Sequence, residues 1–277
     1  MQACNLCGST RWQTLEEVDG TRVVRCDCGL VFLWPQPSAA SLAQAYDDAY
    51  YRPWKDQSRL REMIWRTRMD CVSRLVSPGT LLDVGCGTGD FLRLAKNRGW
   101  DVVGTEISAT GSHAARNQGL SVHTGELWEA RLPAASFDLI TCWHVIEHVA
   151  EPRRVIEEIH RILRPSGWLV LATPNLDDRI FRAAYRLARG RRPRFYERGE
   201  REVHLFFFSA ATLRRLVTSV GFTDVTIGVD RGAAAERGKR LVNECSYLWH
   251  RLTGIHWGMA LELTARRPET VSSEEDP

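Results

Sequence analysis

The stretch Thr80-Leu-Leu-Asp-Val-Gly-Cys-Gly-Thr-Gly-Asp90 decides the fold that the sequence predicts. Residues 80–84 form a short apolar run with the length of one buried strand. Three glycines follow at alternate positions, which predicts a tight turn with little side-chain bulk. Apolar residues then recur at helical spacing from Phe91 onward. A strand, a glycine turn and a helix in this order are typical of a nucleotide-type site at the carboxyl end of the first strand of an open α/β sheet.

The charges around this turn favour one kind of ligand. A dinucleotide site needs a small residue five positions after the first glycine, where this chain has Asp90, and Asp83 adds a second carboxylate. These carboxylates disfavour a diphosphate and favour S-adenosylmethionine, which has an ammonium, a sulfonium and a ribose diol. Residues 100–106 predict a second strand that ends in Glu106, a carboxylate placed to accept both ribose hydroxyls. A strand-turn-helix with a purely structural role is the alternative for the same pattern.

Strand-like and helix-like segments alternate through the rest of the chain, which predicts an α/β fold with a doubly wound, Rossmann-like, mainly parallel sheet of seven strands. Five further strands are predicted, at 121–124, 137–142, 168–173, 223–229 and 258–266. Helices are predicted at 39–50, 57–75, 108–117, 152–163, 209–220 and, with poorly defined ends, within 233–255.

Four cysteines near the start of the chain predict a small zinc ribbon. Cys4-x-x-Cys7 and Cys26-x-Cys28 are separated by eighteen residues and both pairs precede glycine. Because about thirty-five residues cannot bury enough surface to fold alone, bound Zn²⁺ would supply the folding energy. Four thiolates leave no open coordination position, so the predicted metal is structural. The second pair has one intervening residue where zinc knuckles normally have two, so a distorted or degenerate site is the alternative.

The sequence predicts four segments of unequal length. The predicted parts are a zinc-ribbon-like module at 1–36, a helical linker or cofactor cap at 37–78, the main domain at 79–267 with an insertion at 174–203, and a disordered acidic tail at 268–277. The 44% hydrophobic content supports a full core, and no apolar run reaches membrane-spanning length. The scattered remaining cysteines and the lack of a signal-peptide core predict a cytoplasmic protein.

The glycine turn together with Glu106 resembles the class I S-adenosylmethionine-dependent methyltransferases. Residues 143–149, 161–167 and 173–175 further resemble the ubiquinone-pathway O-methyltransferases. The paired cysteines, the Pro35-x-Pro37 link and the paired tyrosines resemble a bacterial subgroup with an N-terminal zinc ribbon, which often modifies sugars or other cell-surface and secondary metabolites. The resemblance implies that the cofactor contacts Asp83, Gly85, Cys86, Gly87, Gly89, Glu106, Ile107, Glu126, Leu127, Cys142 and Trp143.

Methyl transfer to a hydroxyl needs alignment and a base. The candidates after the fourth strand are His144 and His148, which the spacing predicts to lie with Glu147 near one face of a short helix. The related family has an acidic residue in place of His144, and its triplet can bind a divalent cation. His204 is a third candidate base, because the family folds this segment over the active site. Contacts between helix and sheet are the alternative role for Glu147 and His148.

Positive charge is concentrated in the insertion. Residues 177–201 contain nine arginines and four acidic residues, although the whole chain carries only +3. The insertion therefore predicts a lid that recognises an anionic acceptor, such as a nucleotide sugar or a phosphorylated lipid carrier, and its amphipathic pattern is compatible with peripheral membrane contact. A solvated helical face is the alternative.

These observations predict an S-adenosylmethionine-dependent methyltransferase that acts on a small-molecule hydroxyl. An rRNA or tRNA base methyltransferase is the first alternative, since clustered arginines suit phosphate contacts. Nucleic acid is the less favoured partner because the overall charge is modest and the Asn-Pro-Pro-Tyr motif of many base N-methylases is absent from the sequence. A non-catalytic zinc-ribbon binding protein is the second alternative, and the intact glycine turn argues against it.

Overall fold

The computed structural model describes residues 3–37, 50–51, 58–197, 202–233 and 237–269, and its strands form two sheets. The strands are β1 (Trp12–Val18), β2 (Thr21–Cys26), β3 (Val31–Trp34), β4 (Thr80–Val84), β5 (Asp101–Glu106), β6 (Ser121–Thr124), β7 (Phe137–Trp143), β8 (Leu163–Pro174), β9 (Phe206–Phe207), β10 (Thr223–Val229) and β11 (Ala260–Arg266).

The larger sheet is the predicted Rossmann-like sheet of seven strands. Its order is β10-β11-β8-β7-β4-β5-β6, with β11 antiparallel to both neighbours and the other pairs parallel. The central strands β4, β7 and β8 are almost wholly buried because helices cover both faces. The strand order reverses between β4 and β7, so their carboxyl ends frame the crevice where ligands bind in such sheets.

The helices follow the predicted pattern closely. They are α1 (Ser58–Leu75), α2 (Asp90–Asn97), α3 (Ala109–Arg116), α4 (Pro152–Ile162), α5 (Arg179–Arg189), α6 (Ala210–Thr218) and α7 (Arg237–Thr253). The side chains of Ser108 and Ser209 accept hydrogen bonds from the backbone N–H groups of Gly111 and Thr212 and so cap α3 and α6. The predicted helix at 39–50 lies outside the described residues except for Tyr50, as does the tail beyond residue 269.

The fifth predicted strand starts earlier than its sequence pattern indicates. β8 begins at Leu163, which pairs with Phe137, and the register shifts before Trp168 pairs with Leu139. The predicted start of this strand at residue 168 is therefore wrong. Ser166 adopts a left-handed φ of 64°, so the irregularity lies within the strand.

The smaller sheet joins the N-terminal hairpins to the main domain. Its antiparallel order is β1-β2-β3-β9, so three strands from the first 34 residues are completed by a strand from residues 206–207. Phe32 pairs with Phe206, and both side chains belong to a hydrophobic core that continues into the main domain. The N-terminal segment thus shares both backbone hydrogen bonds and apolar packing with the larger domain.

Within the described part of the chain, every helix is too short or too polar to span a bilayer.

Candidate functional site

The glycine turn after β4 passes unusually close to its neighbours. Gly85 and Gly87 adopt left-handed φ values of 68° and 54°. The N–H groups of Gly85 and Cys86 both donate to the carbonyl of Thr105, at 2.8 and 3.0 Å, which ties the turn to the end of β5. A Cβ on Gly85 would lie 2.4 Å from a methyl group of Val145. Only glycine therefore permits the loop after β7 to approach the turn.

Glu106 lies where β5 ends and faces the same turn. Its two carboxylate oxygens accept hydrogen bonds of 2.8 Å from the N–H groups of Gly87 and Ser108, and the residue is 6% exposed. Burial raises the pKa of Glu106, and the Ser108 and Gly87 hydrogen bonds oppose that rise. Tyr51 also forms a hydrogen bond with this carboxylate, which lines the first cavity and is an acceptor group of the kind that suits a ribose diol.

Two cavities meet at this turn. The first, of about 140 Å³, extends from Glu106 towards Glu126, and the second, of about 370 Å³, extends from Asp83 towards His204. The predicted cofactor residues that line one or both are Asp83, Gly85, Cys86, Gly87, Glu106, Ile107, Glu126, Leu127 and Trp143. The glycine cradle and the buried carboxylates therefore suit a ligand with a diol and a cationic end.

Two of the predicted cofactor residues line neither cavity. Gly89 precedes α2, and a Cβ there would lie 2.5 Å from Leu120, so this glycine permits packing of the helix. Cys142 is fully buried in the core. The resemblance implied cofactor contacts at both positions, which the structure places at the start of α2 and in the core.

Asp83 carries a buried carboxyl group on the floor of the second cavity. It is 2% exposed and accepts a hydrogen bond of 2.6 Å from Thr141. Burial raises the pKa of Asp83 to about 7, against the opposing effect of the Thr141 hydrogen bond. A cationic group in this cavity would favour the ionised form.

Glu126 lines the first cavity and also begins a short 3₁₀ helix, Leu127–Ala130. Its carboxylate accepts a hydrogen bond from the N–H of Glu129, while the Glu129 carboxylate accepts one from the N–H of Glu126. This capping box holds Glu126 in a defined orientation at the wall of the first cavity.

The segment from His144 to His148 is a turn, so the prediction of a short helix is wrong. His144 has a left-handed φ of 55°, and its N–H donates to the carbonyl of Ala172 at 2.8 Å. This hydrogen bond continues the pairing of β7 with β8 and prevents a helical start. The N–H of His148 donates to Val145, which closes the turn and brings both imidazoles to the cavity wall.

His144 lies between two buried carboxylates. Its Nε2 is 3.2 Å from Asp230 and its Nδ1 is 3.4 Å from Glu147. Burial lowers the pKa of His144, but the hydrogen bonds to Asp230 and Glu147 outweigh this effect and raise it to about 9. His144 is therefore protonated at neutral pH, which makes it a poor proton acceptor.

His148 and His204 contact one another in the wall of the second cavity. Their ring centroids are 4.8 Å apart, and Nδ1 of His148 lies 3.0 Å from the carbonyl of Val203. Because a carbonyl only accepts, Nδ1 carries the proton, and Nε2 is the basic nitrogen of neutral His148. Burial lowers the pKa of His204.

Ligand atoms of Glu147, His148 and His204 all lie within 4.8 Å of one another, a donor set that suits a divalent cation.

Sequence reasoning missed Arg68 and Asp230. Arg68 donates a hydrogen bond of 2.7 Å to Asp230 and is 4% exposed. Its guanidinium lies 5.1 and 4.8 Å from the ring centroids of Trp65 and Trp143. These contacts join α1 and the end of β10 to the wall of the second cavity. No local motif marks either residue.

The four N-terminal cysteines converge as predicted. The sulfur atoms of Cys4 and Cys28 are 3.6 Å apart, those of Cys7 and Cys26 are 3.5 Å apart, and all four sulfurs lie within 4.8 Å of one another. A tetrahedral Zn²⁺ with Zn–S bonds of about 2.3 Å separates its sulfurs by about 3.8 Å. The single residue between Cys26 and Cys28 therefore still allows the geometry of a zinc site.

The arginine-rich insertion contains α5, which the carboxylate of Asp178 caps by accepting from the N–H of Phe181. Within the described residues of the insertion, α5 has no buried side chain. The guanidinium of Arg182 lies 4.7 Å from the Phe195 ring, which holds the following loop against the helix. The insertion is thus a lightly packed, positively charged surface element.

Comparison with known proteins identifies a family for this chain. A family profile described as "Methyltransferase domain" matches residues 57–227, which is more than half of the chain. Ubiquinone biosynthesis O-methyltransferase of Hahella chejuensis is 32% identical over 154 residues, 51% of this chain and 64% of that protein. The protein of the same name from Pseudomonas paraeruginosa is 33% identical over 110 residues, 37% of this chain and 47% of that protein. The chain spans about half to two thirds of the length of these relatives.

Solved structures show the same fold at lower identity. A methyltransferase from Thermotoga maritima, described as S-adenosylmethionine-dependent and as a possible histamine N-methyltransferase, superimposes with a TM-score of 0.59 at 18% identity. The match covers 82% of this chain and 99% of that one. Together with the glycine turn, Glu106 and the family profile, the fold shows that this chain belongs to the class I S-adenosylmethionine-dependent methyltransferases.

Proposed function

We propose that the protein transfers a methyl group to a hydroxyl oxygen of a small-molecule acceptor, which is a sugar, a lipid-linked compound or a secondary metabolite. When bound, S-adenosylmethionine supplies an activated methyl group on its sulfonium. Glu106 would hold the ribose, Asp83 would face the cationic end, and Glu126 would accept from the adenine amino group. The O-methyltransferase names of the curated relatives support the choice of oxygen.

The position of His148 is the observation that best supports this proposal. Its Nδ1–H donates to the Val203 carbonyl, so the basic Nε2 of the neutral ring belongs to a side chain that lines both cavities. This nitrogen would accept the proton of the acceptor hydroxyl when the methyl group moves from the sulfonium to the oxygen, which breaks the sulfur–carbon bond and leaves S-adenosylhomocysteine as a neutral thioether. His204 lies beside it and is the second candidate for the base.

His144 has a different role in this proposal. As a cation between Glu147 and Asp230, it would hold the turn after β7 in place and keep His148 at the cavity wall. Arg61 and Arg68 also line the second cavity, where they pair with Asp90 and Asp230.

The four cysteines would hold one structural Zn²⁺. Their convergence supports this assignment, and four thiolates leave no coordination position for a substrate.

The arginine-rich insertion would contact an anionic part of the acceptor or the headgroups of a membrane, because α5 carries four arginines and no acidic residue. A cytoplasmic location is part of the same proposal.

A methyl-transfer assay with a panel of acceptors tests this function. Labelled S-adenosylmethionine is incubated with the protein and phenols, free sugars, nucleotide sugars or phosphorylated lipid carriers. Label in an ether bond, with a preference for anionic acceptors, is the expected result. Label found only on nitrogen or carbon would overturn the choice of oxygen, and label in RNA would favour the base methyltransferase alternative.

The His148→Gln variant tests the base once an acceptor is known. Glutamine retains a donor for the Val203 carbonyl but has no basic nitrogen. Turnover is expected to fall by roughly 10²–10⁴-fold, with cofactor affinity unchanged within a few-fold. The matched variant His123→Gln, on β6 and outside both cavities, is expected to keep normal turnover. Normal turnover in His148→Gln would show that His204 is the base or that alignment of the reactants is sufficient without a base.

A further inference from the structure

The helix α7 exposes three leucines to solvent and buries two polar side chains against the protein. Asn243 and Ser246 are each 1% exposed, whereas Leu241, Leu248 and Leu252 are 69%, 59% and 84% exposed. A surface helix of a globular protein normally has the opposite arrangement. This helix also lies beyond the residues 57–227 that match the methyltransferase profile.

Polar contacts hold the inner face of α7. The side chain of Asn243 donates a hydrogen bond of 2.8 Å to the carbonyl of Asp230, and Glu244 forms a bidentate ion pair with Arg231 at 3.0–3.1 Å. The helix is thus attached to the end of β10 without burying its leucines. The exposed leucines are therefore not needed for this attachment.

The exposed leucines form one stripe. Leu241, Leu248 and Leu252 are separated by seven and four residues, so they lie on one face of the helix. The stripe continues towards Ile255, which is 43% exposed, and Trp249, which stacks on Trp257 at 5.1 Å. Exposed leucines bordered by tryptophan form an apolar face of the kind that enters a headgroup layer.

Positive charge surrounds this stripe. Exposed Arg240 and Arg251 lie on α7, and the only acidic residue of the helix, Glu244, is neutralised by Arg231. The arginine helix α5 begins beside the same surface, because the guanidinium of Arg179 lies 6.0 Å from the Trp257 ring. Leu187 of α5 is 88% exposed. A two-fold contact between two copies would bring this positive surface against itself, which disfavours a dimer.

We propose that α7 docks on the surface of an anionic phospholipid bilayer, with Leu241, Leu248 and Leu252 in the headgroup boundary and the arginines on the phosphates. Gly232 and Ala233, which precede the helix, line the second cavity. Docking would therefore bring the acceptor side of the site close to the bilayer. The inference goes beyond the proposed methylation and does not depend on it, since membrane binding requires neither cofactor nor acceptor.

Vesicle flotation tests this docking with the full chain. Vesicles of phosphatidylcholine and phosphatidylglycerol at a ratio of about 7 to 3 are compared with pure phosphatidylcholine at low and high salt. Binding to the anionic vesicles, weakened by salt, is the expected result. The double variant Leu248→Glu/Leu252→Glu is expected to bind at least about 100-fold more weakly, because two leucines no longer enter the boundary. The control Leu15→Glu, on β1, is expected to bind like the wild type.

A second variant tests the electrostatic part without changing the leucines. Arg240→Gln/Arg251→Gln is expected to weaken binding by about 30-fold, since each basic residue near an anionic surface contributes about 1 kcal/mol. Circular dichroism verifies that each variant is folded. Failure of the wild type to bind anionic vesicles, or wild-type binding by both folded variants, overturns the proposal. A dimer in light scattering that Leu248→Glu/Leu252→Glu dissociates would instead identify the surface as a contact between two copies.

Discussion

Two buried carboxylates hold His144 from opposite sides, so its charge is part of the folded structure. Asp230 contacts Nε2 and Glu147 contacts Nδ1, while Arg68 also binds Asp230 and opposes the charge of the imidazole. Burial lowers the pKa of His144, but the two hydrogen bonds have the larger effect and raise the pKa to about 9. The unfolded value is about 6.5, so folding favours the protonated ring.

Stability should therefore depend on pH in a defined window. A raised folded pKa contributes stability that is complete below pH 6.5 and is lost as pH rises through about 9. The shift corresponds to at most about 3 kcal/mol of unfolding free energy. Urea unfolding of the wild type at pH 6.5 and 9.5 is expected to show this loss, and His144→Gln is expected to reduce it. If the free energy of unfolding changes equally between pH 6.5 and 9.5 in the wild type and in His144→Gln, then His144 is neutral in the folded protein.

At the scale of elements, β9 connects the cysteine hairpins to the active site. The Leu33 N–H donates to the Leu205 carbonyl, and the N–H groups of Leu205 and Phe206 both donate to the Glu147 carbonyl. The same short segment carries His204 at its start. Backbone hydrogen bonds therefore connect the N-terminal sheet to the turn and the segment that carry His148 and His204.

Metal loss at the cysteines should loosen this connection. Purified protein is expected to contain about one zinc per chain, and Cys4→Ser/Cys7→Ser is expected to lose it. Hydrogen exchange at residues 205–207 should then become faster, whereas β4 should remain protected because its neighbours β5 and β7 are unchanged. Cys245→Ser, an exposed cysteine outside the cluster, is the control. Unchanged exchange at 205–207 in the zinc-free variant would contradict this account.

At the scale of the whole molecule, the sequence predicted the features that depend on residues close together in the chain. The glycine turn, Glu106 and the caps at Ser108 and Ser209 depend on residues within about twenty positions of one another. Strand and helix periodicity within each segment was enough to predict the seven-stranded sheet.

Long-range contacts account for what the sequence did not predict. Arg68 and Asp230 are 162 residues apart, and His144 and Asp230 are 86 apart, so no short motif reveals their network. The pairing of β3 with β9 also joins distant segments. The spacing of His144, Glu147 and His148 favours a helix, but the hydrogen bond from His144 to Ala172 imposes a left-handed turn.

Isothermal titration calorimetry with S-adenosylmethionine and S-adenosylhomocysteine tests the central claim most directly. One site per chain is expected, without competition from NAD. Glu106→Ala is expected to weaken binding by about 10–100-fold, because a charged acceptor for the ribose diol is lost. Glu62→Ala, an exposed residue of α1 that pairs with Arg66, should bind like the wild type. Absence of binding heat for both ligands, or unchanged affinity in Glu106→Ala, would contradict the account.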